Sequence, residues 1–165
     1  RGLGDVYKRQ LCTHGHYDHV GSAAALKAEW NATLYCEKAD LAGDRMYPLS
    51  AADCGYTEGE QIAVDELHFT AWHTPGHTPG HVALYEPDSK SLFTGDTLFR
   101  ESIGRTDLPG GDYSWIMRSI LDSLIPLGEE VRVYPGHGPE STIGHEMLYN
   151  PFVVEVLNQE VNYKN

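Results

Sequence analysis

The chain has 165 residues, 41% of them hydrophobic and 22% charged, with a formal net charge of −12. That length suits one domain, residues 1–165, with a sizeable core, and the dispersed acidity repels a phosphate backbone, which excludes nucleic acid as an expected partner. No run is apolar enough to span a bilayer and no basic start leads into a cleavable apolar segment, so no membrane association and a cytoplasmic location are expected.

In chain order, the first ten residues (RGLGDVYKRQ) are polar and glycine-containing where a buried strand should lead into a histidine-rich loop. Only Leu11 and Cys12 read as that strand's end, so residues 1–10 are expected to be a truncated or chimeric start. Val20 to Trp30 is rich in Ala, Leu and Lys and predicts a helix. A short strand over Ala32 to Cys36 and a short helix over Glu37 to Asp44 follow. Pro, Ser, Asp and Gly punctuate Pro48 to Gly59, which predicts a loop.

Strands dominate from there. Gln61 to Val64 is one candidate. Leu67 to His73 is another, because Leu67, Phe69 and Ala71 alternate with polar residues. His81 to Glu86 and Ser91 to Thr94 flank the turn sequence Pro87-Asp88-Ser89-Lys90, which predicts a hairpin. Asp112 is placed to cap a helix from Tyr113 to Leu124, whose Ile116, Ile120, Leu121 and Leu124 form an apolar stripe. Val131 to Tyr134 reads as a strand, and Asn150-Pro151 as the N-cap and first position of a final helix. The three cysteines, Cys12, Cys36 and Cys54, are widely spaced, make no C-x-x-C pair, and are expected as small buried side chains in a reducing compartment. Mixed helices and strands with a hairpin predict a layered α/β sandwich whose loops project from one edge.

The nine histidines carry most of the functional information. His14, His16 and His19 share a short loop with Asp18. An x-separated His pair projects both imidazoles to one side of an extended segment, so one ion can be held by both. Asp18 and His19 then face a second position nearby. Crowding four such groups is costly without a cation, although a chance His-rich surface loop is the plain alternative. Three more residues could complete the site: His77 in T-P-G-H-T-P-G-H, Asp96 in T-G-D-T, and His137 in Y-P-G-H-G-P. Each follows a predicted strand beside glycine, where a scaffold presents functional loops. Taken singly, each is as ordinary as any turn former.

The ordered motifs T-H-G-H-Y-D-H-V-G, T-P-G-H-T-P-G-H, F-T-G-D-T-L-F and Y-P-G-H-G-P resemble those of the metallo-β-lactamase-fold hydrolases. Within them the chain looks most like the compact glyoxalase II-like, or hydroxyacylglutathione hydrolase-like, branch. Ser102 to Asp112 and the tail from Thr142 to Glu146 with Asn150-Pro151-Phe152 also resemble it. The resemblance implies a four-layer αββα sandwich, here expected to lack its N-terminal strands and any separate C-terminal glutathione-binding domain. It implies that His14, His16 and His77 hold one divalent metal, that Asp18, His19 and His137 hold a second, and that Asp96 bridges them. Zinc suits the donors, with iron or manganese as alternatives. The implied activity is hydrolysis of a small-molecule thioester such as a hydroxyacylglutathione, with a metal-activated water as nucleophile and Asp18 orienting it. Arg105 is expected to clamp Asp107 or Asp112, or else to contact substrate, and His81 to pack or to support a ligand. Two other readings follow. One is a persulfide dioxygenase-like oxidoreductase with a single iron on His14, His77 and Asp96. The other is a metal-binding but inactive fragment.

Overall fold

The alternating segments become the strands of a central sheet. A computed structural model describes residues 8–163. Six strands lie in the order β10-β9-β6-β5-β4-β3: β3 (Gln61–Val64), β4 (Leu67–His73), β5 (Val82–Glu86), β6 (Ser91–Gly95), β9 (Arg132–Pro135) and β10 (Ser141–Thr142). All neighbours are antiparallel except β6 and β9, which run parallel. A second pair, β1 (Arg9–Leu11) and β2 (Thr33–Tyr35), is parallel. A third, β7 (Leu98–Phe99) and β8 (Ser102–Ile103), is a small antiparallel hairpin.

Burial shows how the layers stack. One face of the central sheet, with Ala83, Leu92 and Val133, packs against Ile116 and Ile120 of the helical segment beginning at α3 (Tyr113–Arg118). Ile143 of α4 (Ile143–Tyr149) and Val153 of α5 (Pro151–Tyr163) close the same layer. The opposite face, with Ile62, Ala71, Val82 and Leu84, packs against Tyr35 of β2 and Tyr56. Because side chains alternate along a strand, Leu34 of β2 points the other way. There it joins Val20 of α1 (Tyr17–Val20) and Ala23 of α2 (Ala23–Trp30). The order helix, sheet, sheet, helix is the expected αββα sandwich. No helix among the described residues is long and apolar enough to cross a membrane.

Most predicted elements are present, and the differences have local causes. The helix expected over Val20 to Trp30 is two helices, because α1 starts earlier and the chain breaks at Gly21-Ser22. The helix expected over Glu37 to Asp44 is one turn, Lys38–Asp40, with Leu41 already extended. The Asp112 side chain caps α3 by accepting from Trp115 N–H, as expected. Beyond Arg118 the segment widens through Ser119–Leu124 into a looser turn while keeping Ile120 and Leu124 buried. Asn150 Oδ1 accepts from Phe152 N–H at the start of α5. Arg9 and Gln10 belong to a half-buried strand after all, paired with Thr33 and Leu34. The expectation for residues 1–7 lies outside the described residues. Cys36 is buried and Cys12 and Cys54 partly so, all as free thiols. Burial pushes the Cys12 thiol up to about 11 and that of Cys36 to about 12.

Candidate metal centre

The site forms where strands from both sheets end. Cys12 N–H donates to the Tyr35 carbonyl at 3.0 Å, and Val82 N–H donates to the Thr13 carbonyl at 2.7 Å. The end of β1 is thereby fixed between β2 and the start of β5. The loop that follows carries His14, His16, Asp18 and His19. Gly136 N–H donates to the Gly95 carbonyl at 2.8 Å, which brings the Asp96 and His137 loops together at the ends of the parallel pair β6 and β9.

All seven predicted residues converge. Ligand atoms of His14, His16 and His77 lie within 4.8 Å of one another, as do those of His14, His19 and Asp96, and those of Asp18, His19 and His137. His16 Nδ1 and His77 Nε2 are 3.0 Å apart. His19 Nε2 and His137 Nε2 are 3.2 Å apart, and Asp18 Oδ2 lies 3.2 Å from His137 Nε2. Asp96 sits between the groups, with Oδ1 at 3.3 Å from His19 Nε2 and Oδ2 at 3.5 Å from both His77 Nε2 and His137 Nε2.

These spacings suit divalent cations. Four donors at about 2.0–2.1 Å around a tetrahedral ion stand roughly 3.3–3.4 Å apart. The proton inventory points the same way. His77 Nδ1 donates to the Arg105 carbonyl at 2.8 Å, which leaves Nε2 as a lone pair facing the site. His14 Nδ1 pairs with Thr13 Oγ1 at 3.1 Å, and its buried Nε2 has no hydrogen-bond partner. Converging lone pairs without donors are costly unless a cation takes them.

The electrostatics separate the two halves. Burial, reinforced by neighbouring imidazoles, drives the His14 pKa far below the usual histidine value. Burial and His77 lower that of His16. Both rings are therefore neutral, the form that coordinates metal. For His19, burial is outweighed by Asp96 and Asp18, and the pKa rises. Burial would raise Asp96, but His19, His77 and His137 hold its pKa down. His14 and His77 are buried, whereas the Asp18 and His137 side chains are 38% and 55% exposed.

Of the other sequence candidates, His81 supports the site. Asp96 N–H donates to His81 Nε2 at 3.0 Å, so the ring proton sits on Nδ1, beside Thr74 Oγ1 at 2.9 Å and Thr97 Oγ1 at 3.0 Å. The ring stacks on His14 at 5.0 Å between centroids. Arg105 grips Asp107 through two bonds, Nε to Oδ1 and Nη2 to Oδ2. Its carbonyl, rather than its guanidinium, orients His77. A cleft of about 520 Å³ opens beside the cluster, walled by Tyr17, Met46, Phe99, Ile103, Arg105 and Leu108.

Two residues escaped the sequence reading. Asp40 is fully buried and receives bonds from both loops that carry His14, His16 and His77. Glu146 is fully buried in α4 and accepts from Glu101 N–H and Asn150 Nδ2, both at 2.8 Å, and from Ser141 Oγ. It thereby pins the β7–β8 hairpin that walls the cleft. For Asp40 the advance signal was an acidic residue in an apolar neighbourhood, which surface acids share; Glu146 lies in the tail that resembles the family, with nothing there to single it out.

A four-layer sandwich with a His/Asp metal-binding cluster at its sheet edge defines a protein of the metallo-hydrolase class. Residues 11–137 match the family model for the metallo-beta-lactamase superfamily, and the chain belongs to that superfamily. It is 39% identical over 157 residues to the hydroxyacylglutathione hydrolase GloC of Haemophilus influenzae, a match covering 87% of this chain and 74% of that protein. Among solved structures it resembles the BLEG-1 B3 metallo-beta-lactamase, with TM-score 0.79 and 36% identity over 90% of this chain and 78% of the other. ETHE1 from Myxococcus xanthus superimposes with TM-score 0.78 and 28% identity, covering 93% and 70% of the two chains. TTHA1623 in a di-iron-bound form gives 0.74 and 37%, covering 92% and 79%.

Proposed function

We propose that this protein is a binuclear metal-dependent thioester hydrolase of the hydroxyacylglutathione hydrolase type. The observation that carries the reading is the pair of three-residue groups facing one carboxylate. His14, His16 and His77 would hold one ion, Asp18, His19 and His137 the other, and Asp96 would lie between them. Zinc fits these nitrogen and oxygen donors, and the di-iron relative makes iron the first alternative. Two bound cations would supply Lewis acidity and a water acidified towards neutral pH.

The remaining roles belong to the chain itself. The Arg105 carbonyl locks the His77 tautomer, and His81 fixes the backbone at Asp96, so both donors are oriented before anything binds. Asp18, half-exposed in the cleft and 3.2 Å from His137, would orient the attacking water and take its proton. Tyr17, Met46, Phe99, Ile103 and Leu108 give the cleft apolar walls suited to an acyl chain. No general acid is required for a thiolate leaving group, since thiols ionise near pH 8.5. The metallated protein should cleave S-lactoylglutathione or another member of a panel of thioesters and lactones; failure across the panel would remove the assignment.

A second reading has its own observation. The Asp18, His19 and His137 group is the more exposed half of the site, so single occupancy of the buried half would leave the mononuclear iron arrangement on His14, His77 and Asp96. One iron per chain and oxygen uptake with glutathione persulfide would select it over the hydrolase.

A further inference from the structure

We propose that Asp40 is a positioning residue for one half of the metal site, coupling the His14-Gly15-His16 loop to the His77 loop. Resting on the two-metal reading, this inference adds a residue that is not itself a ligand. Asp40 closes the single helical turn after β2, and its side chain is entirely buried. Its partners come from the two loops in question. Gly15 N–H, between the two ligand histidines, donates to Oδ2 at 3.0 Å. Thr78 Oγ1, next to His77, donates to the same oxygen at 2.6 Å. Gly80 N–H donates to Oδ1 at 2.8 Å. One carboxylate thus spans sequence separations of 25 and 40 residues and holds three donors in fixed positions.

The glycines of both motifs follow from this contact. A Cβ at Gly15 would fall against the Asp40 carbonyl oxygen, and one at Gly80 would lie 2.7 Å from Asp40 Oδ1. Only residues without a side chain admit so close an approach. Asp40 makes none of these bonds to the His137 loop, so its influence falls on the half-site of His14, His16 and His77.

Competition of the zinc-loaded protein against a chromophoric chelator tests this. Wild type should release two ions in two steps. Asp40→Asn keeps one acceptor oxygen and turns an amide N–H towards donors; it should weaken one step about 10- to 100-fold, the scale for residues supporting metal ligands. The other step should stay within about threefold. Should Asp40→Asn fail to fold, Thr78→Val removes one donor and should weaken the same step less, while Thr78→Ser should restore it. Unchanged release in both Asp40→Asn and Thr78→Val would overturn the inference. So would equal weakening of both steps together with a lowered unfolding midpoint of the metal-free protein, which marks general packing. A wild type holding fewer than two ions would instead remove the two-metal reading on which the inference stands.

Discussion

Replacing Glu146 should reveal how a buried carboxylate in α4 maintains the wall of the cleft. Three donors meet it: Glu101 N–H, Asn150 Nδ2 and Ser141 Oγ. Glu101 sits at φ 56 in the turn between β7 and β8, a conformation that needs such support. Glu146→Ala leaves these donors without their acceptor, the Asn150 amide fully buried and the other two partly so. At about 1–3 kcal/mol for each stranded group, three donors give about 3–9 kcal/mol, and because the Glu101 and Ser141 contacts are only partly buried the loss should fall at the lower end, about 3–5 kcal/mol. Glu146→Gln can turn its amide N–H towards Ser141 Oγ, which also accepts, and keep its oxygen for the other two. That variant should lose only about 1 kcal/mol. Denaturant unfolding of the chelated proteins would read both values, and the KM of either variant should rise more than kcat falls, because Phe99, Ser102 and Ile103 line the cleft. A Glu146→Ala protein within 1 kcal/mol of wild type would refute the reasoning.

Other expectations follow from the same structure. In the metal-free protein, burial, with repulsion from His77 next, holds His81 down to about 3, while the unfolded chain titrates near its ordinary 6.5. The unfolded state therefore binds more protons as pH drops through 6.5, and stability should decrease as pH decreases, with a slope from this group that approaches about 1.4 kcal/mol per unit well below 6.5. His14 and His16 add to the same trend, so urea unfolding between pH 6.5 and 5 should show a slope that His81→Gln reduces. Arg105→Ala should leave the thermal midpoint and metal content unchanged, because the ion pair with Asp107 is exposed and the His77 contact comes from the main chain. Ile120→Ala should cost about 2–5 kcal/mol in chemical unfolding, since Ile120 is fully buried between the sheet and the helical layer.

The parts of this protein that were legible in its sequence depend on local pattern. Alternation in Leu67 to His73, the turn at Pro87 to Lys90 and the cap at Asp112 each place their signal within a few residues of the structure they specify. The His14 to His19 spacing is likewise local, and its ligand chemistry is distinctive enough to read directly. The roles of Asp40 and Glu146 could not be read from the sequence because their partners, main-chain N–H groups, hydroxyls and the Asn150 amide, lie up to 45 residues away. The strand at Arg9 to Leu11 was obscured because it is only half buried, with Arg9 lying over the Tyr35 ring at 5.9 Å. The helix α4 was missed because Gly144 and His145, weak helix formers, sit in its first turn behind Ile143, while Thr142 caps it by accepting from His145 N–H.

The central claim is that two divalent ions share this cluster and support thioester hydrolysis. Elemental analysis and a thioesterase assay on one sample test it most directly. The account predicts two divalent ions per chain, together with cleavage of S-lactoylglutathione or a related thioester. A single iron per chain with oxygen consumption, or two bound ions without turnover on any thioester, would contradict it.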